Sequence, residues 1–304
     1  MKSKTNKKEI ILVSFYTEGA PHDQGTNLTK EYKNFKRISK KLFDKTLIYC
    51  PRKLIKENTY WDNILYNQEI IKEHISSKQK SSTKNINWAR LNFSLWKPSL
   101  LFEVLNRKDI KEGSIVIFHD INLKKYPQYI LNIKNSKNFF LKNLKNKEIF
   151  IFQDSILSFA SDCKQEVLNK YLYCDGTTFF TRWSGCLGLK KTKNTINFCK
   201  DWKLLTEIQN NRNQITNFEN YKNFAWHSQE QATFTIVFYK WKYNFRKYNL
   251  IKTKYTPTFR SISSKWDFIV FLKYIKYIFV FLQKEGLFKL VKQRFIFLIK
   301  NFFS

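Results

Sequence analysis

Gly113-Ser114-Ile115-Val116-Ile117-Phe118-His119-Asp120-Ile121-Asn122 is the stretch from which the fold is read. Gly113 opens it as a turn residue, a β-branched and aromatic run follows, and Asp120 falls where the run stops. A short continuous apolar run of this kind suits a buried strand. Just upstream, Leu95-Trp96-Lys97-Pro98 leads into residues 99–105. Pro98 has a fixed φ and no N–H, so it suits the first turn of a helix with Leu101, Phe102 and Leu105 on its apolar face. The order is helix, turn, strand, then an acid at the strand's C-terminal end, which in an open α/β sheet is where ligands sit. Asp120 is therefore the expected centre of the chemistry, against the plainer alternative of a turn acid.

The flanks extend the same pattern. Residues 9–15 read as a buried first strand, and a polar loop with Gly19, Pro21 and Gly25 follows. Thr29 is placed to cap a helix with Tyr32, Phe35, Ile38 and Leu42 on its apolar side, and residues 46–49 predict a second strand. This strand–helix–strand opening suits a nucleotide-binding half-sheet, while the absence of Gly-x-Gly-x-x-Gly leaves a dinucleotide fold without support. Residues 54–75 are expected to be helical and residues 76–87 to form a polar, basic loop. Beyond the central strand, residues 126–142 predict a basic helix. A strand at 148–152 follows, then the acid Asp154, and a short helix at 163–171. A loop entering a strand spans 177–190, where Gly185 and Gly188 admit a ligand or a neighbouring strand. Residues 195–209 form an amphipathic helix, and residues 226–240 another that carries His227, Glu230 and Gln231 at its head.

With 304 residues, 43% of them hydrophobic, the chain can bury a substantial core and is no disordered tail. Its net charge of +31 favours an anionic partner. Lys far outnumbers Arg, whereas base readers lean on Arg, and there is no helix-turn-helix, RNP or OB signature. Nucleic acid is thus the less favoured anion, behind sugar nucleotides and anionic lipid. Five scattered cysteines without a Cys-x-x-Cys pair, after a polar and basic start, predict free thiols in a reducing cytoplasm and argue against structural zinc.

After residue 243 the pattern gives way to a basic linker over 244–264 and a tail over 265–304. Within the tail, Lys289, Lys292 and Lys300 form one stripe, with Leu290, Phe295, Leu298, Ile299 and Phe302 elsewhere. A basic amphipathic helix of this kind is expected to lie on an anionic membrane surface, the plainer alternative being helices packed on the domain.

Phe15 and its loop, the Trp96-Lys97-Pro98 box, the 113–120 strand, Trp183-Ser-Gly-Cys-Leu-Gly-Leu and His227-Ser-Gln-Glu-Gln occur in that order. Together they resemble the GT-A-like glycosyltransferases, the bacterial and viral nucleotide-diphospho-sugar transferases, over residues 9–243. The resemblance implies an α/β, Rossmann-like mixed sheet flanked by helices, with a domain at 1–243 that binds a nucleotide-sugar donor. It also implies Mn²⁺ or Mg²⁺ to offset charge on the leaving diphosphate. The family's Asp-x-Asp pair here reads Asp120-Ile121-Asn122, which leaves one carboxylate and a carbonyl ligand. The resemblance places Asp120, Asn122 and His227 at the metal, and Asp120, Asn122, Trp96, Lys97, Lys164 and Arg182 at the donor. Glu230 or Asp154 would be the catalytic acid facing the acceptor hydroxyl, with Trp183, Gly185 and Gln231 lining the acceptor. Each has an ordinary reading beside it: core packing for the tryptophans, a helix cap for Glu230, a helix-end histidine for His227, and a solvated face for Lys164 with Glu166. The implied activity is sugar transfer to a glycan or lipid-linked acceptor in cell-surface polysaccharide synthesis, at the cytoplasmic face of the inner membrane. The competing expectation is a catalytically inactive basic protein that binds anionic membrane or nucleic acid.

Overall fold

The computed structural model describes residues 8–17, 29–69, 91–121, 133–173, 176, 180–213, 216, 219–221, 224, 227–242, 244–245 and 248–252. Asn122, the expected loop at 76–87 and the expected tail at 265–304 lie outside the described residues.

The described strands form one six-stranded mixed sheet, Rossmann-like and flanked by helices on both faces. In chain order the elements are β1 (Ile10–Phe15), α1 (Thr29–Leu42), β2 (Lys45–Tyr49), α2 (Pro51–Glu57), α3 (Tyr60–Leu65), α4 (Trp96–Asn106), β3 (Ile115–His119) and α5 (Ile133–Leu144). They continue with β4 (Ile149–Ser158), α6 (Phe159–Asp162), α7 (Gln165–Leu172), β5 (Phe180–Lys190), α8 (Lys193–Glu207), α9 (Glu230–Trp241) and β6 (Tyr248–Lys252). The strand order is β2-β1-β3-β5-β4-β6. β1 runs parallel to both β2 and β3, whereas β5 is antiparallel to β3 and β4.

Alternation along β1 shows why its run is continuously apolar. Ile11, Val13 and Phe15 pack with α4, α8 and α9, whereas Leu12 packs on the other side with Phe35 of α1 and with Phe140 and Leu144 of α5. Gly188 lies under α5: a Cβ there would come within 2.6 Å of Phe140 Cδ1 and 2.7 Å of Leu144 Cδ1. The close approach expected at this glycine is therefore that of a helix. Pro98 sits in the first turn of α4, and Leu101 and Leu105 are fully buried, as the periodicity predicts.

The fold departs from expectation in several places. The helix expected over 54–75 starts earlier, at Pro51, and breaks after Glu57, where Asn58 leaves the helical region and Thr59 starts α3. β4 runs on to Ser158, so Asp154 lies inside an irregular stretch of strand where pairing with β5 shifts register, and not beyond the strand's end. The helix expected from residue 226 begins at Glu230. The expected linker contributes β6, a short edge strand parallel to β4. Its polar Tyr, Asn and Lys among two aliphatics suit an edge and mask it in composition. Among the described residues, no helix is long and apolar enough to cross a membrane.

Candidate functional site

The chain passes from β1 outward to β2, then returns to place β3 on the other side of β1. The crevice outside the carboxyl ends of β1 and β3 is thus the switch point of the sheet, where ligands of open α/β folds bind. β1 and β3 pair from Ile10↔Ile115 to Val13↔Phe118. Carried forward, that register sets Phe15 level with Asp120.

The backbone around Asp120 is held on three sides. Its N–H donates to Gly185 O at 2.9 Å. The preceding carbonyl, His119 O, accepts from Ser14 Oγ at 2.6 Å. Its own carbonyl accepts from His119 Nδ1 at 2.7 Å. Because a carbonyl only accepts, Nδ1 carries the imidazole proton. Burial pushes the His119 pKa down to about 4, so the ring is neutral near pH 7. Gly185, expected beside the acceptor, thus meets Asp120 through its carbonyl. The Asp120 carboxylate remains 35% exposed.

Lys97 and Glu230 come to this carboxylate from two helix starts. Lys97 Nζ lies 2.8 Å from Glu230 Oε1 and 3.9 Å from Asp120 Oδ1, and the Lys97 and Glu230 side chains are each 8% exposed. Ser184 Oγ donates to the same Glu230 oxygen at 3.1 Å. The Lys97 ammonium also stands 5.5 Å from the Trp96 ring centre and 5.4 Å from that of Phe118. Glu230 is the first residue of α9, where the helix dipole favours a carboxylate. Its side chain caps nothing; the cap position belongs to Gln229, so the capping role weighed for Glu230 gives way to an ion pair. Trp202 Nε1 donates to Glu230 O at 3.0 Å and anchors the helix start from α8.

The start of α4 is set by an uncommon turn. Asn92, Phe93 and Ser94 all have positive φ, at 49°, 49° and 61°. Side-chain bonds over-determine it: Asn92 Nδ2 donates to Asn63 O and Ile64 O at 3.1 Å each, and its Oδ1 accepts from Arg212 at 2.9 Å. From this turn Trp96 stacks on Phe15, with ring centres 4.1 Å apart and planes 18° apart. Trp96 is buried, so its ring packs at the end of β1 while Lys97 points at the carboxylates.

Three residues expected at the donor or metal are committed elsewhere. His227 is fully buried; its Nδ1 accepts from Lys164 N at 3.1 Å and its Nε2 donates to Asn211 O at 2.5 Å. With one nitrogen accepting and the other carrying its proton, the ring offers no lone pair to a metal, which corrects the ligand role expected of it. Burial, reinforced by the Lys164 charge, holds the His227 pKa down to about 3. Lys164 is likewise buried, its ammonium bonded to Asn210, Asn213 and Glu166, and desolvation lowers its pKa. Arg182 reaches α9, where it donates to Tyr239 OH at 2.9 Å and stacks on the Phe238 and Tyr239 rings. The Lys164 side chain therefore braces the fold in place of the donor role expected of it, and Arg182 packs against α9.

Gln231 lies in the first turn of α9, half-buried, its N–H bonded to Ser228 O. Asp154 and Trp183 fall in β4 and β5, with side chains outside the described part. Among the described residues, no group of three His, Cys, Asp or Glu side chains could hold a metal ion. Of the expected ligands, Asp120 alone presents a carboxylate at the crevice, and Asn122 lies outside the described residues. Sequence reasoning missed Ser14, Ser184 and Gln229. Ser184 had a signal, since strand alternation puts it on the opposite face from Trp183.

No family model matches the chain, and no curated protein does. Among solved structures, 4-diphosphocytidyl-2C-methyl-D-erythritol synthase from Anaerococcus prevotii is similar to it at 12% identity. That alignment covers 88% of this chain and 99% of the other, with a TM-score of 0.34. The fold class stands on the strand order and pairing of the chain itself.

Proposed function

We propose that the chain is a glycosyltransferase of the GT-A kind that takes a nucleotide-diphosphate sugar in the crevice outside β1 and β3. One observation carries this reading. Asp120, Lys97, Glu230 and Ser184 come from the end of β3, α4, α9 and β5 to one place at the switch point, where the Asp120 side chain is 35% exposed. In this reading Asp120 binds the donor, and Lys97 offsets the negative charge that grows on the leaving diphosphate. The acceptor hydroxyl attacks the anomeric carbon as the bond to the diphosphate oxygen breaks, and its proton passes to the carboxylate of Glu230. Mn²⁺ or Mg²⁺, if bound by Asp120 with Asn122, would supply further charge neutralisation to the diphosphate.

The acceptor in this proposal is a glycan or lipid-linked sugar of cell-surface polysaccharide synthesis, met at the cytoplasmic face of the inner membrane. The net charge of +31 and the basic tail support that placement. Deleting residues 265–304 should release the protein from anionic vesicles while its melting temperature holds; a collapse in melting would make the tail part of the core.

The main test is thermal stabilisation by UDP, GDP, CMP and dTDP sugars with and without Mn²⁺, followed by donor hydrolysis. One donor should raise the melting temperature, and Asp120→Ala should abolish turnover with little change in stability. Unchanged turnover in that variant removes Asp120 from the chemistry. Stabilisation by no donor, together with steeply salt-dependent binding to anionic vesicles or nucleic acid, would replace the reading with that of a basic binding protein.

A further inference from the structure

A cavity of about 610 Å³, which shares no residue with the Lys97 cluster, is lined by Gln165, Glu166, Asn169, Lys170, Asn210 and Glu219. Small-molecule sites run to roughly 300–1,000 Å³. The sequence of α7 explains one wall. Gln165, Glu166, Asn169 and Lys170 recur at i, i+1, i+4 and i+5, which is one face of a helix. Val167 and Leu168 turn the other face onto Ala232 and Ile236 of α9. A merely solvated helix face has no opposite wall; here Asn210 and Glu219 supply one. Asn169, Lys170, Asn210 and Glu219 are all exposed, so a ligand can reach them.

The two walls are held in place by the chain itself. Behind them the buried Lys164 ammonium donates to Asn210 O at 2.5 Å and to Asn210 Oδ1 at 3.1 Å, and lies 3.0 Å from Glu166 Oε1. Gln165 N donates to Asn220 Oδ1 at 2.9 Å, which ties the neighbour of Glu219 to the start of α7. Such a preset lining lowers the ordering cost of binding. Its chemistry selects the ligand. Glu166 and Glu219 balance Lys164 and Lys170, so in a chain of net charge +31 this lining carries none. An anion gains little from it. Asn169 and Asn210 engage their side-chain oxygens with Gln165 and Lys164, which leaves their NH₂ groups to donate, while Glu219 accepts. Mixed donors and acceptors on a neutral wall match hydroxyl groups, each of which gives and takes a hydrogen bond.

Topology sets α7 at the same edge of the sheet as Asp120. β3 and β4 are both antiparallel to β5, so they run the same way, and α7 follows the carboxyl end of β4 through α6. Asp162 O, at the end of α6, accepts from Ser228 N and Ser228 Oγ at 2.9 Å each, two residues ahead of Glu230. We propose that this cavity binds neutral sugar units of the acceptor glycan beyond the unit that reacts, with Asn169 and Asn210 donating to their hydroxyl oxygens and Glu219 accepting from them. The acceptor role rests on the reading of the chain as a transferase to a glycan.

The test uses the full chain with neutral tetrasaccharides of glucose, galactose and N-acetylglucosamine, and a hyaluronan tetrasaccharide as the anionic probe. At least one neutral probe should bind saturably, with a Kd that salt leaves unchanged. Asn169→Ala and Glu219→Gln change exposed side chains and should melt with the wild type. Each should weaken the neutral probe about tenfold, while Kd for the sugar nucleotide and donor hydrolysis hold. Absence of saturable neutral binding, neutral binding that survives in both variants, or a loss confined to the hyaluronan fragment overturns the proposal. Each of those results leaves the parent reading intact as long as wild type binds a sugar nucleotide and Asp120→Ala abolishes its hydrolysis. A wild type that binds no sugar nucleotide sinks the acceptor role together with the parent reading.

Discussion

At Lys97 the ammonium bridges a buried carboxylate and stands 3.9 Å from a second that is 35% exposed. At Lys164 the ammonium is wrapped by two asparagines and Glu166, and the adjacent histidine is bonded to backbone through both nitrogens. The two clusters draw on the same side-chain types, and both came from motifs that suggested donor binding. They differ in where the hydrogen-bonding capacity goes. The Lys164 ammonium and the His227 ring are bonded within the chain, tying α7 to the turn at Gln209–Asn211 and to the approach to α9, while the neighbouring Gln165 Oε1 has no hydrogen bond among the described residues. Around Lys97, the Asp120 side chain is 35% exposed, and Trp96 Nε1 and Gln229 Nε2, each one residue from the ion pair, have no hydrogen-bond partner among the described residues. Side chains bonded to backbone and to one another brace the fold, whereas a part-exposed carboxylate at the sheet's switch point is placed to meet a ligand.

That contrast predicts how lysine variants separate. Lys97→Met strands the Glu230 carboxylate in a buried setting and should cost about 3–5 kcal/mol in urea unfolding. Adding Glu230→Gln removes the stranded charge, so the double variant should regain most of that loss while donor turnover stays absent. Lys164→Met should cost about 3 kcal/mol by the same logic, yet a sugar nucleotide should still raise its melting temperature. The comparison breaks if Lys164→Met loses ligand stabilisation while Lys97→Met keeps it.

Legibility from sequence follows the same line. Asp120 could be found because an apolar run ends on it, and Lys97 because Pro98 marks the helix turn that carries it. β1, β2, β3, α1, α4 and α8 follow from periodicity, which records burial directly. The direction of β5 could not be read, since a strand buried on both faces has one composition whichever way it runs. β6 is short and polar enough to pass for linker. Lys164 and His227 were misplaced for a physical reason: a sequence shows which groups exist and not what satisfies them. Left-handed φ at Asn92, Phe93, Ser94 and Gln229 leaves no trace either, because none of them is the glycine that such a backbone favours.

The smaller effect concerns protons. Burial holds His227 at about 3 and His119 at about 4, below the ordinary value of 6.5. Between those values and 6.5 the unfolded chain binds protons that the folded chain refuses, so stability is full above pH 6.5 and falls as pH drops. Each histidine should remove about 2 kcal/mol between pH 7 and pH 5. His227→Phe loses two hydrogen bonds and should start about 2 kcal/mol lower at pH 7, but it should shed one histidine's share of the acid sensitivity. Urea midpoints at the two pH values measure this directly, and an unchanged slope in His227→Phe would mean that the ring is hydrated and charged in the folded chain. In that event Lys164 would have an imidazolium beside it, and that cluster would become a second place to look for an anion.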